Sequence, residues 1–474
     1  MQDDTIESIH APLAQLARRT PVTCAPGQLV GEALRVMREC AIGSIIVVSP
    51  ERIPLGILTL RDVTDRVALE PGALETPIER VMTSHPITLP LHATGDSAAL
   101  MMVRKGVRHI VLVDGERLAG IVSERDLFGL QRSGVRQIST AIRNAEDIQA
   151  LERCGRDIST LAREMLAQGT AAGPLTAFIA SLNDLLTERV VELEFRAAGI
   201  VGVRYCWILL GSEGRSEQTL VTDQDNGLIF APPPGAGLAE TRDRLLPVAR
   251  RINQSLDRAG YRLCAGDIMA GNPSWCLSLD EWRGKFGQWI DTGDPQAVLH
   301  GAIFFDLRPL QGDESLAQEL RLWLLEHASG SPRFLHLMAQ NALMNHPPLG
   351  LLSDFSLDDD GRINLKLGGA TPFVDAARIF SLAHRIDETH TERRLRAAGP
   401  ALKAPAREID AWIAAYNHVQ HARLKAQADG LARGIAPDNR VDPGQLNDFD
   451  RQSLKLAFQQ ARQLQKRLAL DYRL

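Results

Sequence analysis

Two stretches of the chain restate each other. "PLGILTLRDV", from Pro54, and "LAGIVSERDL", from Leu118, align Gly56 with Gly120, Thr59 with Ser123, Arg61 with Arg125 and Asp62 with Asp126, each pair 64 residues apart. A repeat of this size limits the fold, because one supersecondary unit occurs twice and two stacked copies bury the apolar face that neither buries alone. The segments upstream match in kind. "TPVTCAPGQLVGEALRVMRECAIGSIIVVS" and "HPITLPLHATGDSAALMMVRKGVRHIVLVD" each predict a short extended segment, a helix with apolar residues at helical spacing, and a β-branched strand. Each copy therefore reads as β-α-β followed by a further strand and a helix.

The shared signature, "GILTLRD" and "GIVSERD", resembles that of a tandem CBS pair, in which two such units form one disc with a cleft for adenosine nucleotides. The resemblance implies a domain over 1–135, with repeats at about 10–70 and 75–135, that binds AMP, ADP or ATP and pairs with a second copy into a homodimer. The spacing has a physical basis. Glycine lets a backbone approach a ribose phosphate, the hydroxyl of Thr59 or Ser123 can bond a phosphate or sugar oxygen, and the carboxylate of Asp62 or Asp126 can accept from ribose hydroxyls. The same aspartates could instead cap the helices that follow them, leaving the pair as a dimerisation surface only.

Beyond Ile138 the period becomes helical. Ile148, Leu151, Ile158, Leu161 and Met165 follow helical steps, "GTAAGP" interrupts, and a second amphipathic run extends from Leu175 to Phe195. These helices read as a coupling pair or as the N-terminal cap of the next domain.

That next domain holds "GSEGRSEQTLVTDQDNGLIF", Gly211 to Phe230. "YCWILLG" before it predicts a buried strand, "GSEGRSEQ" a turn entering a short helix, and "TDQDNGLIF" a second strand. On a strand, residues i and i+2 share a face, so Asp223 and Asp225 converge while Gln224 points away. Two carboxylates that close need a cation between them, and hard divalent Mg²⁺ suits oxygen ligands. The Gly211-Ser212 turn offers backbone N–H groups to a triphosphate, and Arg215 could neutralise phosphate charge.

This stretch resembles the nucleotidyltransferase motif of the DNA polymerase beta superfamily, and within it the branch of the PII uridylyltransferases and glutamine synthetase adenylyltransferases, which also carry Arg and Glu after Gly-Ser, here Arg215 and Glu217. "GYRLCAGDIMAGNPSW" and "FFDLRPLQGDESLA" are similar to segments of the nucleotidyltransferases that accompany CBS pairs. "LKLGGATPFVDAARIFSL" and "APDNRVDPGQLNDFDRQSLKLAF" are similar to their C-terminal substrate-binding helical domain. The implied fold class is a multidomain α/β (α+β) chain: the CBS pair, a polymerase-beta-like core with N-terminal helices over 136–328, and an all-helical substrate-binding domain over 329–474. The superfamily adds a third carboxylate from a later strand. Asp267 in "LCAGDIMA" is the choice here, with Asp306 in "FFDLRP" as rival and an Asp306–Arg308 pair as the structural alternative. Glu217 reads as a brace for Arg215 or the turn. Lys366 stands where the related family carries a lysine toward nucleotide or acceptor, though a surface role fits equally.

Composition narrows the rest. At 474 residues the chain has room for roughly three domains. A net charge of −5 gives no attraction to nucleic acid. Six scattered cysteines without a C-x-x-C pair, an acidic N-terminus and the lack of any ~18-residue apolar run point to the cytoplasm, without membrane anchoring. His418 and His421 read as a solvated helix face, and Trp275, Trp282 and Trp289, spaced by seven, as one buried face. No His-Asp dipeptide marks the phosphohydrolase domain of the PII uridylyltransferases.

The expected function is Mg²⁺-dependent transfer of a nucleoside monophosphate, uridylyl or adenylyl, from a nucleoside triphosphate to a protein or small-molecule acceptor, under control of adenine nucleotide at the CBS pair. Asp223 and Asp225 would hold the metal, Asp267 would join them in catalysis, and Gly211, Ser212 and Arg215 would hold the triphosphate. The alternative is a sensor that binds nucleotide and catalyses nothing.

Overall fold

A computed structural model describes residues 12–16, 20–40, 42–68, 70–292, 303–350 and 354–474. They form two compact units, Met1–Gln137 and Ile138–Leu474.

The first unit contains the repeat. In the first copy, strand β1 (Thr23–Cys24) lies parallel to β2 (Ser44–Val48) across the helix Val30–Glu39, and β2 turns back antiparallel into β3 (Pro54–Thr59), which also pairs with β4 (Thr83–Ser84). In the second, β5 (Thr88–Pro90) lies parallel to β6 (His109–Asp114) across the helix Gly95–Lys105, and β6 turns back into β7 (Arg117–Ser123). The 64-residue offset holds for the outgoing strands, where Gly56 corresponds to Gly120. The incoming strands are one residue further apart: Val47 faces Gly56 whereas Leu112 faces Gly120. One residue is therefore missing from the second hairpin turn, and a register shift in each hairpin absorbs the turn geometry. Ile46 and Ile57 of one copy pack with Val111 and Leu118 of the other, so the stacked face expected of a repeat is present.

The second unit is built on a four-stranded sheet in the order β10-β9-β8-β11: β8 (Arg204–Leu209) and β9 (Asn226–Ala231) antiparallel, β10 (Cys276–Ser278) parallel to β9, and β11 (Arg308–Gly312) antiparallel to β8. The parallel pair is joined through the helix Leu238–Arg258. The helices Ile148–Ala167 and Ala172–Ala198 pack together, as the helical period predicted. Trp282 and Trp289 lie on the helix Leu279–Thr292, Trp275 ends the turn before it, and all three are buried around Phe304, with Trp275 and Phe304 ring centres 4.4 Å apart.

Among the described residues from Pro332 onward the regular structure is helical, from Pro332–Ala342 to the long terminal helix Asp448–Tyr472, apart from one two-residue antiparallel pair, β12 (Ile363–Asn364) with β13 (Arg440–Val441). One continuous apolar core runs from Ile208 and Ile229 in the sheet to Phe373, Trp412 and Leu464 in the helices. The sheet and these helices are therefore packed as one body. Among the described residues no helix is long and apolar enough to cross a membrane.

Candidate active site

The Gly-Ser turn follows directly from the end of β8. Leu210 closes the strand by donating its N–H to the carbonyl of Asp225, and Gly211–Gly214 then coils into one helical turn. Gly211 takes φ +52°, and a Cβ there would lie 2.5 Å from Oδ2 of Asp225. The residue is glycine because an aspartate carboxylate occupies the space a side chain would need. Gly214 is required for a second reason: a Cβ there would lie 2.0 Å from the backbone oxygen of Asp306.

The aspartate pair was expected on a strand, and the structure corrects this. β9 begins at Asn226, and Asp223 makes only an isolated bridge to Arg262. The alternation survives, because the lead-in is extended and held from the loop beside it: Gln224 N–H bonds the carbonyl of Arg262 and Asn226 N–H that of Ile268. The Gln224 side chain is fully buried, donates to the carbonyls of Asn253 (3.0 Å) and Tyr261 (2.8 Å), and accepts from Asn253 (2.8 Å). Pinning Gln224 inward leaves Asp223 exposed and Asp225 half-buried on the other side.

Asp225 carries the electrostatic signature of the site. Burial is the main cause that pushes its carboxyl up to about 6, and the neighbouring Asp223 adds to it; the Cys264 thiol and the charges of Lys366 and Arg215 work in the opposite direction. The charge of Lys366, in the turn Leu365–Ala370 of the helical region, lies near enough to act on this carboxylate. Glu213 sits beneath. It is 4% exposed, accepts from Asp225 N–H (3.2 Å) and from Gln218 Nε2 (3.1 Å), and burial pushes its carboxyl well above the usual range. Neither Cys264 nor Glu213 was singled out in the sequence. Glu213 carried a signal, since a charged residue enclosed by Gly211, Ser212 and Gly214 has little room to reach water.

Arg215 points inward. Its Nε donates to Glu217 (2.9 Å) and its Nη1 to Asp306 (2.6 Å), so Glu217 does brace Arg215. Asp306 is fully buried and receives Arg378 at 2.9 and 2.7 Å and Arg394 at 2.5 Å as well. These guanidinium groups hold its carboxyl far below the usual carboxylate range despite burial. The expected partner Arg308 bonds Asp184 instead (2.9 Å). Asp267 is exposed at φ +52°, in a turn rather than on a strand, and its carboxylate accepts from Asn272 (2.8 Å). The strand beside β9 offers only Cys276, Leu277 and Ser278.

Among the described residues no three His, Cys, Asp or Glu side chains are grouped to hold an ion. Asp223 and Asp225 form a two-carboxylate set in which, at Asp225, burial and Asp223 outweigh the opposing influence of Cys264, Lys366 and Arg215. Such a set suits a hard divalent cation that keeps water or phosphate oxygens at its other positions. His418 and His421 are half-buried, and burial pulls both imidazoles below their usual range.

In the repeat unit, Thr59 and Asp62 form a capping box at the start of the helix Leu60–Arg66: Thr59 N–H and Oγ1 donate to Asp62 Oδ2 (2.9 and 2.6 Å), and Thr83 Oγ1 donates to Oδ1 (3.2 Å). Gly56 fits against Met82, whose Sδ would lie 2.2 Å from a Cβ. Ser123 ends β7 half-buried, opposite His109. Asp126 belongs to the helix Glu124–Asn144, and its side chain lies outside the described residues.

Family comparison agrees with this order of parts. The family described as "Putative nucleotidyltransferase DUF294" matches residues 156–296, the "Putative nucleotidyltransferase substrate binding domain" matches 332–472, and the CBS domain matches 13–69 and 78–132. An uncharacterized protein of Methanopyrus kandleri is 32% identical over 121 residues, which is 25% of this chain and 62% of that protein, so the chain spans under two thirds of that relative. A CBS domain-containing protein of Bacillus subtilis is 30% identical over 111 residues, 23% of this chain and 79% of that one. A solved CBS domain protein from Pyrobaculum aerophilum, complexed with AMP, is 27% identical, covers 24% of this chain and 88% of its own, and has a TM-score of 0.23.

Proposed function

This chain belongs to the CBS-domain family, with a CBS pair joined to a nucleotidyltransferase region and its substrate-binding domain, and from that premise we propose that it is a Mg²⁺-dependent nucleotidyltransferase. It moves a nucleoside monophosphate, uridylyl or adenylyl, from a nucleoside triphosphate to a protein or small-molecule acceptor, and adenine nucleotide at the CBS pair regulates it. Its three parts are 1–135, 136–328 and 329–474. It works in the cytoplasm as a homodimer formed through the CBS pair, a reading its six free cysteines fit.

One observation carries the proposal: the Asp225 carboxylate occupies the space over Gly211, on the same side as Asp223, and burial with Asp223 outweighs the cations near it. Asp223 and Asp225 would hold Mg²⁺, which when bound offsets charge on the reacting phosphates. The chain's own residues do the rest. Gln224 and Asn253 fix the direction of the carboxylates, Glu213 ties the turn to the Asp225 backbone, and the Gly211-Ser212 turn presents N–H groups to the triphosphate. Lys366 brings positive charge from the helical region to the same place. Arg215 acts through the turn, since its guanidinium is committed to Glu217 and Asp306. Asp267 would serve as the third carboxylate through the oxygen that Asn272 leaves open.

The experiment is incubation of the protein and cell extract with each labelled nucleoside triphosphate and Mg²⁺, beside Asp225→Asn. Label on an acceptor that vanishes in the variant supports transfer.

A second reading is favoured by one observation, the strand beside β9 that carries no carboxylate. It makes the chain a sensor that binds adenine nucleotide at the CBS pair without catalysis. Nucleotide binding with no pyrophosphate release under any of the four triphosphates would decide for it.

A further inference from the structure

Resting on the transferase reading, we propose that Glu217 and Asp306 are positioning residues that fasten the triphosphate turn to the helical region, so that this region sets nucleotide affinity without touching the reacting atoms. Gly214 lies directly on the Asp306 backbone, and the next residue, Arg215, bridges Asp306 (2.6 Å) and Glu217 (2.9 Å). Both carboxylates also reach outward from the motif. Asp306 is gripped by Arg378 on the helix Thr371–Ala383 and by Arg394 on the helix Thr391–Leu402. Glu217 accepts from Thr391 N–H (2.5 Å) and from Thr391 Oγ1 (3.0 Å).

The second contact is a helix cap supplied from elsewhere in the chain. The N-cap residue His390 makes no side-chain cap of its own, so the helix Thr391–Leu402 has its first N–H satisfied by a motif carboxylate, where negative charge is also favoured. Such bonds are charge-assisted and directional. A pair of charges held only for stability needs no such route from the Gly-Ser turn to two separate helices. The arrangement makes turn geometry depend on where those helices sit, and hence on whatever binds to them.

Substituting Asp306 strips three buried guanidinium groups of a shared partner, so the test uses Thr391→Val, which removes one hydroxyl bond, and Thr391→Ser, which keeps it. Amide hydrogen exchange over 211–217 is measured in the full chain. Expected is exchange about tenfold faster in Thr391→Val and restored in Thr391→Ser, the scale of one lost bond to a charged group. With the triphosphate that the wild type uses, KM rises roughly tenfold while kcat stays within about threefold, because the turn binds ground and transition states alike. Unchanged exchange in Thr391→Val, or kcat falling with KM constant, overturns the proposal. A wild type that transfers nothing removes the catalytic reading alone, since the exchange result still decides whether the latch exists.

Discussion

Asp306 and Asp225 are two buried or half-buried carboxylates of one unit, and their protons behave in opposite ways. Three guanidinium groups surround Asp306 and hold its carboxyl far below the ordinary range although water is excluded. Asp225, with burial and Asp223 working against only a thiol and more distant cations, is pushed up to about 6. Burial is common to both. The difference lies in compensation: a carboxylate whose charge is answered internally holds the fold together, and one answered only in part keeps affinity for a cation from outside.

The largest effect expected from this contrast is at Asp306. Asp306→Ala leaves Arg215, Arg378 and Arg394 buried without their shared partner, and breaking a buried pair from one side costs about 3–5 kcal/mol. Urea unfolding followed by tryptophan emission should show the loss at neutral pH. A variant as stable as wild type would mean that the arginines find other partners and the contrast is false.

The pH dependence comes next. The Asp306 carboxyl titrates lower folded than unfolded, so its stabilisation is present above roughly pH 4 and is lost as pH falls. Asp225 has the reverse sign: its folded value of about 6 lies above the unfolded one, so its contribution is present at low pH and is lost as pH rises through 6. Asp225→Asn should therefore gain stability relative to wild type at pH 8, by up to about 3 kcal/mol, and little at pH 4. Mg²⁺ should recover the wild-type deficit at pH 8 and leave the variant unchanged, read as thermal shifts. The same substitution should cut nucleotide transfer at least about a hundredfold. A pH-independent difference between the two proteins would show that Asp225 is not desolvated.

How far this contrast was legible in the sequence depends on the range of the interactions. The repeat was legible because its signal is local and occurs twice: Gly56 with Gly120 and Thr59 with Ser123 recur whatever surrounds them. The one-sidedness of Asp223 and Asp225 was legible from alternation alone, though the strand itself starts only at Asn226. Asp306 was singled out, but what holds it was not legible. Its partners stand 91, 72 and 88 residues away along the chain, and the adjacent Arg308, the natural guess, turns instead to Asp184. The segment "GYRLCAGDIMA" has the apolar content of a strand but is irregular around Asp267, which sits in the left-handed region.

The smallest effect sharpens the contrast from the other unit. Asp62 is a third kind of carboxylate, satisfied by Thr59 and Thr83 and near Arg66 at the rim of a short helix. It is compensated like Asp306 but chiefly by neutral donors, with one 3.5 Å ion pair to a half-exposed arginine, so Asp62→Ala should cost only about 1 kcal/mol, the scale of a lost cap. Because Thr59 spends its hydroxyl on the same carboxylate, a bound adenine nucleotide would have to share or displace that bond. AMP titrated against wild type and Asp62→Ala separates the two roles. Affinity lost by tenfold or more at a stability cost near 1 kcal/mol makes Asp62 a ligand group that rests as a cap, whereas equal affinity makes it a cap alone and moves nucleotide recognition to the other copy.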